Sequence, residues 1–156
     1  MKAVIGAALI CVCFFLLGRK ATERYRTAVK HLYEILMLTR HIKDCISISL
    51  TPLPDIYNSF EFDEKYMADF EKTLKTKGLA CAVEQLVLPE EAYLPLRELA
   101  FALGKTDSEN QCKKLESTIG ILETVYREFK HTEQQKSKSI QALFSLAGAV
   151  AVILMF

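Results

Sequence analysis

The stretch that decides the fold is the end of the chain, 107-DSENQCKKLESTIGILETVYREFKHTEQQKSKSIQALFSLAGAVAVILMF-156. No proline interrupts it. Its first half repeats apolar residues at intervals of three and four, the spacing of a helix that packs along one narrow seam. The seam residues are Cys112, Leu115, Ile119, Leu122, Tyr126 and Phe129. Thr106 and Glu109 have the spacing of a capping box in front of this segment, so we expect one helix from the cap to the last residue.

Two uncharged runs lie at opposite ends of the chain, from Ala3 to Gly18 and from Ile140 to Phe156. Each is slightly shorter than the roughly 20 residues of a spanning helix, but long flanking side chains can reach the membrane surface. The alternative is a signal peptide followed by a buried core helix. Against it, only Lys2 precedes the first run, and Arg19 and Lys20 directly after that run oppose export. We therefore expect two membrane helices.

The distribution of positive charge orients these two helices. Lys and Arg residues concentrate on the inner side of both runs, and the positive-inside rule places such segments in the cytoplasm. We expect a transmembrane helix at 1–18, a cytosolic helical domain at 19–139 and a second transmembrane helix at 140–156. Both termini then lie on the outer side of the cell membrane. The five cysteines form no CxxC pair, which agrees with a reducing compartment around the central domain.

A second long helix is predicted over 19–50, which contains neither Gly nor Pro. Its apolar stripe is wide enough to touch more than one neighbour and consists of Ala28, Val29, Leu32, Ile35, Leu36, Ile42, Ile46 and Ser49. The predicted helix over 19–50 is about 48 Å long, and the soluble half of the last helix is about 50 Å long. The sequence therefore predicts an all-α fold, a cytosolic helical bundle built on a long antiparallel helix pair, with a membrane helix at each end.

Turn residues divide the segment between the two long helices. The chain is expected to reverse at a corner formed by Thr51, Pro52, Leu53 and Pro54, because each proline disfavours helix in the residue before it. Residues after this corner, such as Ile56 and Tyr57, are expected to pack back on the helix pair. Helical spacing predicts further short helices over 62–77, over 79–88 and from Pro95 to Gly104.

Enzyme signatures are missing from the sequence, which has no phosphate-binding loop, dinucleotide fingerprint, zinc-protease motif or nucleophile elbow. His31, His41 and His131 are isolated and are expected on polar surfaces. The basic residues are not interleaved with aromatics, which disfavours nucleic-acid binding. We expect no catalytic, cofactor or metal residue and no small-molecule substrate. The alternative is an enzyme or small-ligand binder with a site between the short helices.

Charge changes sign along the central domain. Seven basic and two acidic residues lie between 19 and 43, whereas thirteen acidic and eight basic residues lie between 55 and 116. Anionic membrane lipid favours the basic end. Solubility alone can explain the acidic end, and the sharper hypothesis is a docking surface for a basic cytosolic partner. The candidate residues of that partner surface are Asp63 and Glu64.

Segments along the whole chain resemble stage III sporulation protein AB. They are the N-terminal apolar run, the corner 49-SLTPLPDI-56, the turn 103-LGKTD-107 followed by Gln111, and the apolar C-terminus. The structural motif residues on which the resemblance depends are Thr51, Pro52, Leu53, Pro54, Gly104, Asp107 and Gln111. The chain departs from the family pattern before the corner, where Lys43 and Cys45 stand in place of acidic residues.

This resemblance implies a non-enzymatic membrane component of the sporulation secretion channel that joins mother cell and forespore, similar to the inner-membrane platform protein of type II secretion. The implied location is the mother-cell membrane. The implied partners are other channel subunits and a cytosolic secretion-type ATPase, beside which the chain acts as a platform or stalk. A platform protein of another type II secretion or pilus-like machine is the alternative.

Overall fold

A computed structural model describes residues 2–49, 51–62 and 67–155. Within these ranges the chain forms helices and turns and contains no strand, so the expected all-α class is confirmed. The helices are α1 (Lys2–Ser49), α2 (Leu53–Ser59), α3 (Ala68–Lys77), α4 (Leu79–Val83), α5 (Glu90–Ala102) and α6 (Ser108–Met155).

The chain divides into two compact units. The core unit is Ala28–Glu128, and the terminal unit combines Met1–Thr27 with Phe129–Phe156. Helices α1 and α6 contribute residues to both units. The predicted domain boundaries at 18/19 and 139/140 are based on hydropathy, whereas these two units are defined by compactness. The predicted boundaries therefore stay predictions.

In the part of the chain that the structure describes, no helix combines the length and the apolar character needed to cross a membrane.

Helices α1 and α6 are antiparallel within the core unit. The rings of Tyr33 and Tyr126 lie 5.9 Å apart, and Lys43 Nζ lies 2.8 Å from a carboxylate oxygen of Glu116. The partner's residue number therefore falls along α6 as the residue number rises along α1. This part of the predicted helix pair is confirmed.

Helix α1 is enclosed on most sides in the core unit, because α6 covers one side and the segment around Val87 covers another. Its buried face is wider than the predicted stripe and includes polar positions. The buried residues from 31 to 39 are His31, Leu32, Glu34, Ile35, Leu36, Leu38 and Thr39. The spacing of apolar residues cannot indicate that a polar residue is buried, so the sequence predicts a narrower buried face than α1 has.

The buried face of α6 is rotated slightly from the predicted seam. Leu115 and Leu122 are fully buried, as expected, but Ile119 is only half-buried. Thr118 and Val125 are buried instead. The four buried positions still follow spacings of three and four, so α6 presents one face to the core. The sequence misplaces this face slightly because Thr118 is a polar residue and does not contribute to the apolar pattern.

The short helices pack in chain order, α2 against α3, α3 against α4, and α4 against α5. Ile56 and Tyr57 of α2 are buried as predicted, and burial raises the pKa of the Tyr57 phenol to about 12. The predicted end of the third helix is confirmed, because Gly78 adopts φ +81° and its N–H donates to Leu74 O at 3.1 Å. The predicted helix over 79–88 is shorter in the structure and ends at Val83.

The prediction that Pro95 starts a helix is wrong, since α5 begins at Glu90 and Pro95 lies inside it. A proline in a helix interior removes one backbone hydrogen bond. The helix continues because Ala92, Leu96 and Leu99 are buried along one of its faces on both sides of the proline. Burial of this face therefore outweighs the local preference of proline for a helix start.

The terminal unit contains polar contacts between α1 and α6. Arg26 Nε lies 3.2 Å from a Glu133 carboxylate oxygen. Lys136 Nζ lies 2.9 Å from the Tyr25 hydroxyl and 4.5 Å from the centre of its ring. This unit carries eight Lys and Arg residues against two Glu, whereas the core unit carries twelve against seventeen acidic residues. Both units therefore carry a net charge, and the two charges have opposite signs.

Candidate functional site

The corner between α1 and α2 is fixed by its two prolines. Helix α1 ends at Ser49, and Pro52 caps α2 with the extended backbone of φ −59° and ψ 140°. The N–H groups of Asp55 and Ile56 donate to Pro52 O at 3.0 and 3.1 Å. Pro54 stands in the first turn of α2, where the N–H that proline lacks has no helical acceptor. The corner therefore positions Leu53 without help from distant residues.

The turn after α5 depends on Gly104. Leu103 N donates to Leu99 O at 2.9 Å, Gly104 adopts φ +78°, and Lys105 N then donates to Ala102 O at 3.2 Å. A positive φ is readily available only to a residue without a Cβ. Glycine here ends the helix, as the sequence predicts, and sends the chain back towards the corner.

The start of α6 is capped by Asp107, so the prediction of a Thr106–Glu109 capping box is wrong. Asp107 accepts hydrogen bonds from Asn110 N at 3.3 Å and from Asn110 Nδ2 at 2.6 Å. These bonds from Asn110 hold the pKa of the Asp107 carboxyl below its usual value. Gln111 Nε2 donates to Thr106 O at 2.5 Å and ties the turn to the helix.

The corner and the turn meet at one cleft of the core unit, although about fifty positions of sequence separate them. A Cβ atom built on Gly104 would lie 3.3 Å from Leu53 Cδ1. The cleft has a volume of about 220 Å³ and is lined by Ile46, Thr51, Pro52, Leu53, Gly104, Ser108 and Gln111. We call this cleft, with these seven residues, the corner cleft.

Five of the seven motif residues predicted from the sequence line the corner cleft, and the other two hold its walls in place. Pro54 lies in the first turn of α2, and Asp107 caps α6. The sequence pattern identified these residues, but nothing in it shows that the two segments are neighbours in space.

The chemistry of the corner cleft suits contact with another protein. Its lining is apolar at Ile46, Pro52 and Leu53 and carries the polar groups of Thr51, Ser108 and Gln111. Pockets for drug-sized ligands usually exceed about 300 Å³, so this cleft matches a single inserted side chain better. Side chains that fill such pockets contribute most of the affinity in many protein interfaces.

The other predicted surface cannot be placed, because Asp63 and Glu64 lie outside the described residues.

A larger cavity, of about 550 Å³, lies beside α3, in the short-helix region where the alternative prediction expected a small-ligand site. It is lined by His31, Met67, Asp69, Phe70, Lys72, Thr73, Thr76, Lys77, Gln85 and Leu86. The predicted surface position of His31 is wrong, since its side chain is buried and its Nδ1 accepts the Val87 N–H at 3.0 Å. Burial lowers the pKa of this imidazole.

Across residues 2–49, 51–62 and 67–155, no three His, Cys, Asp or Glu side chains lie close enough together to bind a metal ion.

Comparison with known proteins identifies a family. The family model described as stage III sporulation protein AB matches residues 3–156. Neither a curated protein nor a solved structure gave a match. Because the match extends over the chain from its third residue to its last, the chain belongs to the stage III sporulation protein AB family.

Proposed function

We propose that this chain is a non-enzymatic scaffold of the secretion channel between mother cell and forespore, and that the core unit binds a cytosolic secretion-type ATPase. Membership in a stage III sporulation family supports the part of the proposal that places the action of the protein in sporulation. That membership also favours a sporulation channel over the platform of another secretion or pilus-like machine. Other channel subunits are the further partners in this proposal.

The observation that carries the proposal is the convergence of the two motif segments at the corner cleft. Local hydrogen bonds of Pro52 and Asp107 and the positive φ of Gly104 build the walls of this cleft in advance. A preformed cleft loses little conformational entropy when it binds, which favours affinity. The corner cleft is therefore our candidate for the contact with the partner.

The proposed location is the mother-cell membrane, with the core unit in the cytoplasm and both termini outside it. Two sequence features support this location, namely the uncharged runs at the chain ends and the excess of Lys and Arg on their inner sides. In the proposal, these ends hold the scaffold at the channel while the core unit contacts the ATPase.

The test fills the corner cleft without disturbing the core. Ser108 is an exposed residue of the cleft wall, so Ser108→Tyr should occupy the cleft. The matched control is Glu109→Tyr, since Glu109 is the next residue, is exposed and does not line the cleft. Tagged full-length chains are recovered from sporulating cells. The ATPase should co-purify with the wild type and with the control but not with Ser108→Tyr. Equal recovery with all three would disprove the role of the cleft.

A second candidate function is binding of a small polar ligand in the cavity beside α3. The observation in its favour is the volume of about 550 Å³, together with the positive charges of Lys72 and Lys77 and the negative charge of Asp69 at its wall. This volume falls within the usual range of ligand pockets. Its test is a thermal-shift screen of small anions with the purified chain. A specific ligand should raise the melting temperature of the wild type, and not that of the Lys72→Ala, Lys77→Ala variant.

A further inference from the structure

Helix α5 carries an exposed aromatic side chain between two positive charges. The Phe101 side chain is 50% exposed. The Arg97 guanidinium carbon lies 5.7 Å from the centre of its ring, and Lys105 Nζ lies 6.0 Å from the same centre. Leu94, two turns earlier on the same face, is 48% exposed. We call Leu94, Arg97, Phe101 and Lys105 the α5 patch.

The two cations of the α5 patch have no carboxylate within ion-pair distance among the described residues. Some cations elsewhere in the same unit pair with acidic groups, for example Lys43 with Glu116 and Lys75 with Glu71. The core unit contains an excess of acidic residues, so the two unpaired cations over one aromatic ring stand out from their surroundings.

The acidic residues of α5 are Glu90, Glu91 and Glu98. Glu90 and Glu91 belong to the first turn, at the opposite end of the helix from Phe101. Glu98 lines a groove of about 210 Å³ between α5 and α6, which Lys114 also lines. Glu98 lies three positions before Phe101 but forms no ion pair with Arg97 or Lys105 in the described part of the chain, so both cations stay available to a partner.

We infer that the α5 patch binds an acidic segment of a partner protein, with an apolar side chain of that segment against Phe101 and its carboxylates on Arg97 and Lys105. Arginine and aromatic residues are the types enriched at the centres of protein interfaces. Ion pairs with the partner would replace water around both cations, and burial of the ring would strengthen them.

The α5 patch adjoins the corner cleft along the chain, since Lys105 directly follows Gly104. An interface of standard size buries about 800 Å² on each partner, which is more than one aromatic ring and its neighbours provide. One partner can therefore contact both the patch and the cleft, and the inference rests on the proposed scaffold function while adding the charge of the partner.

The test places a photoreactive benzoyl-phenylalanine at position 101 of the full-length chain in sporulating cells. Cross-linked peptides are then identified by mass spectrometry. We expect a cross-link to another protein, within a segment that contains acidic residues next to an apolar one. A cross-link to lipid, to a second copy of this chain or to a segment without acidic residues would overturn the inference, as would the absence of any cross-link.

Charge reversal supplies the second part of the test. Arg97→Glu with Lys105→Glu should lower the cross-link yield at least about tenfold, because carboxylates would then face carboxylates. The matched control is Lys75→Glu with Lys113→Glu, which changes the net charge equally at exposed lysines of other helices. An equal loss in the control would show nonspecific attraction and overturn the inference. The corner-cleft variant Ser108→Tyr is measured separately, so a failed ATPase contact and a failed acidic contact are distinguishable.

Discussion

Gly104 faces Leu53 across the corner cleft so closely that a Cβ atom on the glycine would lie 3.3 Å from Leu53 Cδ1. Two requirements meet at this glycine. Its φ of +78° disfavours any side chain, and the neighbouring leucine leaves little room for one. The sequence pattern that ends α5 therefore also sets the distance between the two walls of the cleft.

Three glycines of the core unit allow these two requirements to be separated. Gly104→Ala should cost about 1–3 kcal/mol, from backbone strain and from the contact with Leu53. Gly78→Ala should cost about 1 kcal/mol from strain alone, since its φ is +81° and no atom lies within 4 Å of the added Cβ. Urea unfolding of the purified chains measures both losses.

Gly120 is the control for these substitutions, because it lies within α6 and an added Cβ meets nothing within 4 Å. Gly120→Ala should stabilise the chain by about 0.5–1 kcal/mol, since alanine favours a helix interior. If Gly104→Ala cost no more than Gly78→Ala, the close approach of Gly104 to Leu53 would have no effect on stability, and if it were as stable as Gly120→Ala, the strain at its positive φ would be absent as well.

His31 should make stability depend on pH below about 6.5. Burial lowers the pKa of its imidazole from the ordinary value of 6.5, so the unfolded chain takes up a proton at a pH at which the folded chain does not. The unfolded state then binds more protons, and the free energy of unfolding falls with decreasing pH by at most about 1.4 kcal/mol per pH unit. Above that range His31 contributes no pH dependence.

Unfolding experiments between about pH 8 and pH 5 test this effect. His31→Gln should remove the decrease that begins near pH 6.5. Glu116 and Glu123 also have lowered pKa values, because they bond to Lys43 and Arg40. Their stabilising effect is lost only at pH values below the ordinary glutamate value of 4.5, so the two effects occur in different pH ranges. An unchanged pH profile in His31→Gln would show that the imidazole is not buried in its neutral form.

The two long helices could be predicted from the sequence because their apolar periodicity and the absence of proline act over many residues. Helix ends were predicted correctly from single residues where the turn requires one backbone conformation, as at Gly78 and Gly104, both of which adopt a positive φ. The prediction of a helix start from proline failed at Pro95, where burial of one face of α5 keeps the helix intact on both sides of the proline.

The candidate site could be predicted only as two separate segments. Spacing identifies Pro52 and Gly104 as turn residues, but the distance between them in space depends on how α2 and α5 pack. The burial of His31 could not be predicted either, because the segment that packs on it and donates the Val87 N–H to its ring lies fifty-six positions away in the sequence. The spacing of apolar residues predicts which face of a helix is buried, but contacts between distant segments depend on how the helices pack in three dimensions.

The proposed membrane topology predicts the activity of fused reporters. A reporter that works only outside the cytoplasm should be active when it is fused after Phe156 and inactive when it is inserted next to Gly78, because the basic residues retain the central part inside. A cytoplasmic reporter should give the reverse pattern. The opposite result at both positions would disprove the topology, and a shortened N-terminus in the mature chain would support a signal peptide instead.

Leu122 and Ile121 provide the sharpest test of the helix pair, because they are adjacent in α6 and differ in burial. Leu122 is fully buried in the core unit, whereas Ile121 is 39% exposed. Leu122→Asp would bury a carboxylate among apolar side chains and should cost several kcal/mol, a large part of the roughly 5–15 kcal/mol that stabilises a typical domain.

Ile121→Asp carries the same chemical change and should reduce stability only slightly, since water can reach its carboxylate. Circular dichroism and thermal melting of the two purified variants measure the difference. Reversal of the acidic residues Asp63 and Glu64 to Lys should likewise preserve helix content and melting, and should affect only partner binding. A fully helical and stable Leu122→Asp variant would mean that this face of α6 is not packed against α1 within one chain. The face would then be free to contact another subunit of the assembly.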